Sequence, residues 1–212
     1  MGGQQSRSPW PGTLAVGAAL VLGAWMLHDG GPTLPPLPGA GQRMAGFGPV
    51  SVVPPLDASA PTRIRIPAVR LDAPVTGLGL DGAGHLEPPP ETDRNLAGWY
   101  RGAVTPGQRG TAILAGHVDT RSGPAVFYSL GALHQGDRIE IARADGSTAV
   151  FQIYAIEVYD KQEFPDDRVY GQAGDAQLRL ITCGGGFSER DGYRGNVVAY
   201  AFLVDTARGG RA

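Results

Sequence analysis

The chain has 212 residues, enough for one domain of ordinary size with something short beside it. Eighteen Lys and Arg against twenty Asp and Glu leave a net charge of −2, which argues against a nucleic-acid binder working through a broad basic surface. The 33 Gly and 18 Pro require long loops or a linker, and a single cysteine excludes an intrachain disulfide. With only four scattered histidines beside it, a structural zinc site is not expected, and no metal or cofactor is.

Charge is distributed unevenly. Residues 1–61 hold only Arg7, Asp29, Arg43 and Asp57, and every other charged side chain lies beyond them. Trp10 to Leu27 is a run of 18 uncharged residues, close to the minimum for crossing the hydrocarbon layer at about 1.5 Å per residue. Trp10 and Trp25 stand near its ends, where amphipathic rings favour the interface. The run, bounded at 10–28, is expected to be a retained signal-anchor helix. A cleaved signal peptide is the alternative, weakened because His28-Asp29-Gly30-Gly31-Pro32 offers no small-x-small site; a buried soluble helix is the third reading. Arg7 before the span and Asp29 after it favour an N-terminus (1–9) inside and the rest outside.

Residues 29–61 carry eight Pro and six Gly. They are expected to form an extended, disordered tether, with an irregular coat packed on the domain as the alternative.

From residue 62 the pattern is that of strands. Ile64 and Ile66 alternate with Arg63 and Arg65, and Val69, Leu71 and Val75 follow. Further short β-branched runs stand at 111–115, 138–141, 150–158, 178–181 and 197–204, separated by Gly, Pro and Asp clusters. Helical turns are expected at 93–99, 125–133 and 166–171. The reading is a mostly antiparallel β-barrel or sandwich over roughly 62–205, with 206–212 a flexible tail.

Cys183 ends the strand Leu178-Arg179-Leu180-Ile181-Thr182-Cys183 and runs into Gly184-Gly185-Gly186. An inert core cysteine is the plain alternative. The glycines favour a thiol held on rigid backbone and open to a ligand. His117 is placed similarly, after Ile113-Leu114-Ala115-Gly116 and before Val118-Asp119-Thr120. His28, His85 and His134 suit solvent-exposed positions. A thiolate needs a base or cation beside it, and acyl transfer needs an acid for the leaving amine and a donor for the oxyanion. Arginine suits the last role. Arg190 and Arg194 both follow the cysteine. Arg194 is preferred because it directly precedes the last strand, which is placed beside that of Cys183 if the two pair.

These features resemble the sortases, the membrane-anchored cysteine transpeptidases of Gram-positive bacteria. The resemblance rests on Gly116-His117, on Ile181-Thr182-Cys183 in the family's hydrophobic-x-Thr-Cys strand, and on an Arg before a last strand, in that chain order. Cys183-Gly184-Gly185 with Phe187, Tyr193 and Asn196-Val197-Val198 is most similar to the actinobacterial class called F, with class E next. A composition rich in Ala, Gly, Arg and Pro, with Lys161 as its one lysine, suits a high-GC actinobacterium.

The resemblance implies a closed β-barrel of about eight strands. It also implies a groove holding His117, Cys183 and one arginine, and an exported substrate bearing Leu-Pro-x-Thr-Gly or a close variant. The expected acceptor is an amine of a peptidoglycan precursor or pilin, with water giving hydrolysis. Thr182, Gly184, Gly185, Phe187 and Tyr193 are the expected substrate-binding positions, Thr182 either turned to the groove or pinning its strand. Trp99 is a further candidate wall, although aromatics in a barrel are more often core. Asp119 either orients the imidazole or caps a turn, and the turn is favoured.

Free thiols and imidazoles titrate near 8.5 and 6.5, so a bell-shaped pH dependence of kcat/KM is expected. The rivals are an L,D-transpeptidase-like enzyme, whose Ser-x-Gly-Cys-x-Arg setting is absent here, and a non-catalytic anchored β-domain that binds an envelope partner with Cys183 buried.

Overall fold

A computed structural model describes residues 34–42, 53–190 and 192–208. The expected anchor at 10–28 lies outside them, and among the described residues no helix is long and apolar enough to cross a membrane.

The strands, in chain order, are β1 (Pro61–Ile66), β2 (Leu71–Leu78), β3 (Ala97–Tyr100), β4 (Gly110–Ala115), β5 (Asp119–Thr120), β6 (Gly123–Pro124), β7 (Arg138–Arg143), β8 (Ser147–Asp160), β9 (Ala176–Ser188) and β10 (Gly192–Arg208). One short helix, α1 (Asp166–Tyr170), sits in the β8–β9 connection. Eight strands close a barrel in the order β1-β2-β3-β4-β9-β10-β8-β7, while β5 and β6 form a separate two-stranded hairpin. The barrel is closed because β1 pairs with β7 as well as β2, which leaves no free edge to aggregate.

Two pairs, β2 with β3 and β4 with β9, are parallel. Residues 93–99, expected to turn helically, instead make a turn and enter β3. Ala97 and Gly98 are small enough to pack in a wall that propensity alone would not have marked. The other two turns are present in part, as a 3-10 turn at Leu130–Ala132 and as α1.

Strand alternation sorts the side chains into two sets. Ala112, Leu114, Leu178, Leu180, Val197, Ala199, Ala201 and Leu203 fill the barrel with Ile64, Ile66, Phe127 and Phe151. Ile113, Ile181, Val198 and Tyr200 face outward, and are buried in turn under Tyr154, Phe164 and Val169. The β8–β9 connection supplies Phe164 and Val169, so one outer face of the barrel is itself a packed layer. Arg179 lies in that layer, its guanidinium 4.5 Å from the Tyr200 ring centre and its Nη2 donating to Gln177 at 2.7 Å. Burial lowers its pKa from the usual arginine value, and the surrounding tyrosines work against that shift.

The described parts of the Pro/Gly-rich stretch take the form of a coat on the barrel. Val53 N–H donates to the Leu203 carbonyl, and Leu56 N–H to that of Gly107 at 2.8 Å. Buried Arg143 donates to the Asp57 carbonyl, and Gln42 accepts from Gln135 N–H at 2.6 Å. Pro36 lies so close on Gly131 that a Cβ there would stand 2.1 Å from its carbonyl oxygen. Proline removes the donor only at its own position, so the residues between prolines still donate, as Val53 and Leu56 do, and accept, as Asp57 does.

Candidate active site

The site is built where β4 and β9 run out together. Their parallel ladder ends at Ala115 opposite Ile181. One step beyond it, Gly116 N–H donates to the Ile181 carbonyl at 3.1 Å and the Thr182 hydroxyl donates to the Gly116 carbonyl at 2.8 Å. Carried one further step, this register sets His117 level with Cys183. Thr182 is buried on the inner side. Its hydroxyl pins the two segments, the second of the two placements expected for it.

Gly116 is fixed by packing: a Cβ there would come within 2.6 Å of Val126 and 2.7 Å of Phe127. Beyond it the His117 carbonyl accepts from Phe127 N–H at 3.0 Å, and that of Val118 from Ala125 N–H at 3.0 Å. The histidine segment is thus bonded on both sides. Its side chain is held too, because Nε2 lies 2.7 Å from the carbonyl oxygen of buried Pro89 in the β2–β3 connection. A carbonyl only accepts, so the proton of that bond is on Nε2.

On the other flank, Cys183 pairs with Asn196 of β10. By alternation Cys183 shares the outer face with Ile181, and Asn196 with Val198, as does Arg194 two residues earlier. The thiol is partly exposed and makes no disulfide. Between the pairs Gly195–Gly184 and Tyr193–Phe187 the ladder shifts, so that Gly185 and Gly186 stand against Arg194 alone. This is a β-bulge, and both glycines have positive φ, +75° and +94°. With no Cβ on Gly186, the Arg194 guanidinium lies over it, Nη2 3.5 Å from where that carbon would be.

Gly184 instead packs against Val197, whose methyl would be 2.6 Å from an added Cβ. Gly184 and Gly185 therefore shape the strand, each leaving no room for a Cβ. Arg190 belongs to the tip of the β9–β10 hairpin, beyond the Ser188–Gly192 pair. At about 3.3 Å per residue that tip is far from the thiol along the strand, whereas Arg194 is diagonal to it.

Phe187 is exposed and its ring lies 5.1 Å from that of Tyr193. The Tyr193 hydroxyl donates to the Asp119 carboxylate, 74 residues away in sequence. Asp119 thus accepts a long-range bond from Tyr193, a contact that local spacing gives no sign of. Burial, then the bond to Asp119 and that residue's charge, push the Tyr193 phenol far above its usual range, and the charges of Tyr128 and Cys183 add to the effect. Trp99 belongs to the barrel packing, its Nε1–H donating to the Val104 carbonyl at 3.1 Å.

A cavity of about 490 Å³ opens on the same outer face, floored by Ile113 and Tyr100 and walled by Leu80 and Leu86 on one side and Tyr170 on the other. Ile113 precedes His117 by four residues on one strand, about 13 Å of extended chain. A second cavity, about 300 Å³, opens between 66–72 and 124–133 and holds none of these residues. Among the described residues no three His, Cys, Asp or Glu side chains are grouped to hold a metal ion.

A family model, the sortase domain, matches residues 64–204. The chain belongs to the sortase family. Its barrel is similar to that of a sortase from Actinomyces oris, at 19% identity over 79% of this chain and 93% of the other, with a TM-score of 0.54. Listeria monocytogenes sortase A matches at 21% identity over 71% and 90%, TM-score 0.52. A lid mutant of Corynebacterium diphtheriae sortase A matches at 20% over 71% and 73%, TM-score 0.51. A search of curated protein sequences finds no match. The eight-stranded closed barrel is thus the sortase fold, and the chain is a cysteine transpeptidase by family.

Proposed function

We propose that this sortase cuts a Leu-Pro-x-Thr-Gly-like signal between Thr and Gly, with Cys183 as nucleophile, His117 as acid and base, and Arg194 as the oxyanion and backbone donor. The observation that carries the reading is the register of β4, β9 and β10: Cys183 stands opposite Asn196 with Arg194 diagonal to the thiol, and the β4–β9 ladder, extended two residues past Ala115–Ile181, sets His117 level with it.

The Cys183 thiolate attacks the threonyl carbonyl carbon, and the carbonyl oxygen takes up the negative charge within reach of the guanidinium. Collapse breaks the C–N bond while the His117 imidazolium gives its proton to the departing amine. A thioester remains. An acceptor amine then attacks it, passes a proton to His117, and releases the thiolate. With water as acceptor the same sequence ends in hydrolysis.

The apolar cavity supports the substrate class. Ile113, on its lining, is four residues or about 13 Å of extended chain from His117, and the leucine of such a signal stands three residues, about 10 Å, before the threonine at the thiol, a span of similar order. Leu80, Leu86, Ile113 and Tyr170 line the cavity. Phe187 and Tyr193 wall the opposite end of the groove. The acceptor is an amine of a peptidoglycan precursor or pilin.

Residues 10–28 act as the signal anchor, with the catalytic barrel outside the cytoplasmic membrane. The Cys183-Gly184-Gly185 sequence and the Asn196-Val197-Val198 run within β10 support a place in actinobacterial class F, with class E next. The test is incubation of the full chain with a quenched Leu-Pro-x-Thr-Gly peptide beside a muropeptide. Cleavage of the first only, with a mass shift on Cys183 equal to the acyl fragment, is expected. Turnover of the muropeptide alone overturns the assignment.

A further inference from the structure

Tyr193 and Asp119 each adjoin a proposed catalytic residue from a different part of the chain. Tyr193 immediately precedes Arg194 on β10, and Asp119 follows His117 by two residues on β5. Their side chains bond across 74 residues. β4 and β10 do not pair with each other, since β9, bearing Cys183, lies between them. Up to Gly116 the three are held in register by backbone ladders, but His117 is past the end of the β4 ladder.

The Tyr193–Asp119 bond spans this gap. At one end Tyr193 is braced by its pairing with Phe187 and by the ring contact between the two. At the other, Asp119 pairs with Pro124 in the small hairpin, and Val118 is bonded to Ala125. Neither anchor is a loose loop.

We propose that the Tyr193–Asp119 hydrogen bond is a positioning tie, which holds the His117 segment and the Arg194 strand at a fixed separation on either side of Cys183. The inference rests on the catalytic reading of those three residues. Tyr193 and Asp119 are positioning residues in it; neither meets the reacting bond. The donor is a phenol and the acceptor an oxygen of Asp119, so an asparagine at 119 retains an acceptor, whereas Tyr193→Phe and Asp119→Ala each remove the bond.

The experiment compares the wild-type full chain with Tyr193→Phe, Asp119→Asn, Asp119→Ala and the double variant Tyr193→Phe/Asp119→Ala. The expected result is a loss of about tenfold in kcat, with KM within about twofold, for Tyr193→Phe and for Asp119→Ala. The double variant falls no further than either single one, and Asp119→Asn stays within about threefold of wild type.

A second measurement, the pH dependence of Cys183 alkylation by iodoacetamide, needs no sorting peptide. Wild type and Asp119→Asn should share a reactive shoulder in the profile that His117→Ala abolishes, and Tyr193→Phe and Asp119→Ala should lose it. The tie is overturned if the two removing variants lower only Tm while kcat per folded enzyme and the shoulder are unchanged, or if their effects multiply in the double variant. If His117→Ala leaves wild-type alkylation unaltered at every pH, the catalytic reading itself fails and the tie falls with it.

Discussion

The Nε2–H of His117 donates to the carbonyl oxygen of Pro89 at 2.7 Å, and this bond decides which imidazole nitrogen is available for proton transfer. With Nε2 occupied by an acceptor, the exchangeable position is Nδ1. Pro89 is buried within Pro88-Pro89-Pro90, a run that resists bending, so the carbonyl is a stiff acceptor. Nitrogen-15 shifts of the full chain above the imidazole titration should therefore report His117 as the Nε2–H tautomer. A Nδ1–H tautomer would show that the Pro89 bond does not exist in solution.

Replacing the arginines separates the two candidates. Arg194 lies over the Gly185–Gly186 bulge diagonal to Cys183, while Arg190 is at the hairpin tip. Loss of one oxyanion donor costs on the order of 10²–10³ in kcat, so Arg194→Ala should fall by that much, and Arg190→Ala by less than about threefold. Equal losses for both would remove Arg194 from its role. Cys183→Ala should abolish turnover while Tm moves by no more than a few degrees, because the side chain is partly exposed.

The sequence carried the barrel largely through β-branched alternation, and it marked Cys183 and His117 as candidates by their places at strand ends. What it hid has physical causes. β3 has only Ala97-Gly98-Trp99-Tyr100 to announce it, and its place in the barrel is set by partners on both sides. The coat is held by the N–H groups of Val53 and Leu56 and by the Asp57 carbonyl, long-range bonds that composition does not count. The parallel pairing of β4 with β9 is a matter of topology between segments far apart in the chain. Gly184 reads as freedom near a thiol, yet it is required by Val197, which leaves no room for a methyl group, as Val126 and Phe127 leave none at Gly116. The Tyr193–Asp119 bond has no local signature at all.

Gly116 therefore offers a test of how tightly the histidine is set. An alanine there would bring its methyl within 2.6 Å of Val126 and 2.7 Å of Phe127, both packed in the core. Overpacking of this kind costs about 1–3 kcal/mol, and relief requires the His117 backbone to shift. Gly116→Ala should lower stability to chemical denaturant by that amount and reduce kcat more than it raises KM. An unchanged denaturation midpoint would mean the neighbours yield freely and the segment is not rigid.

The last prediction concerns alkaline pH. Burial raises the phenol of Tyr200 far above its usual range, aided by its bond to Tyr159 at 3.0 Å. Tyr193 is raised likewise, and Tyr154 and Tyr170 are raised by burial to a lesser degree. Each of these groups is held protonated in the native state, while in the unfolded chain a tyrosine releases its proton near 10. Above that pH the unfolded state binds fewer protons than the folded one, so unfolding becomes more favourable as pH rises. The stabilisation is complete below about pH 10 and is lost progressively above it. Tm measured from pH 8 to 11.5 should be flat at first and then decline, and Tyr200→Phe should show a shallower decline than wild type despite a lower starting value. A Tm that holds level through pH 11.5, or a Tyr200→Phe slope as steep as that of wild type, would contradict the placement of these phenols in the packed outer layer.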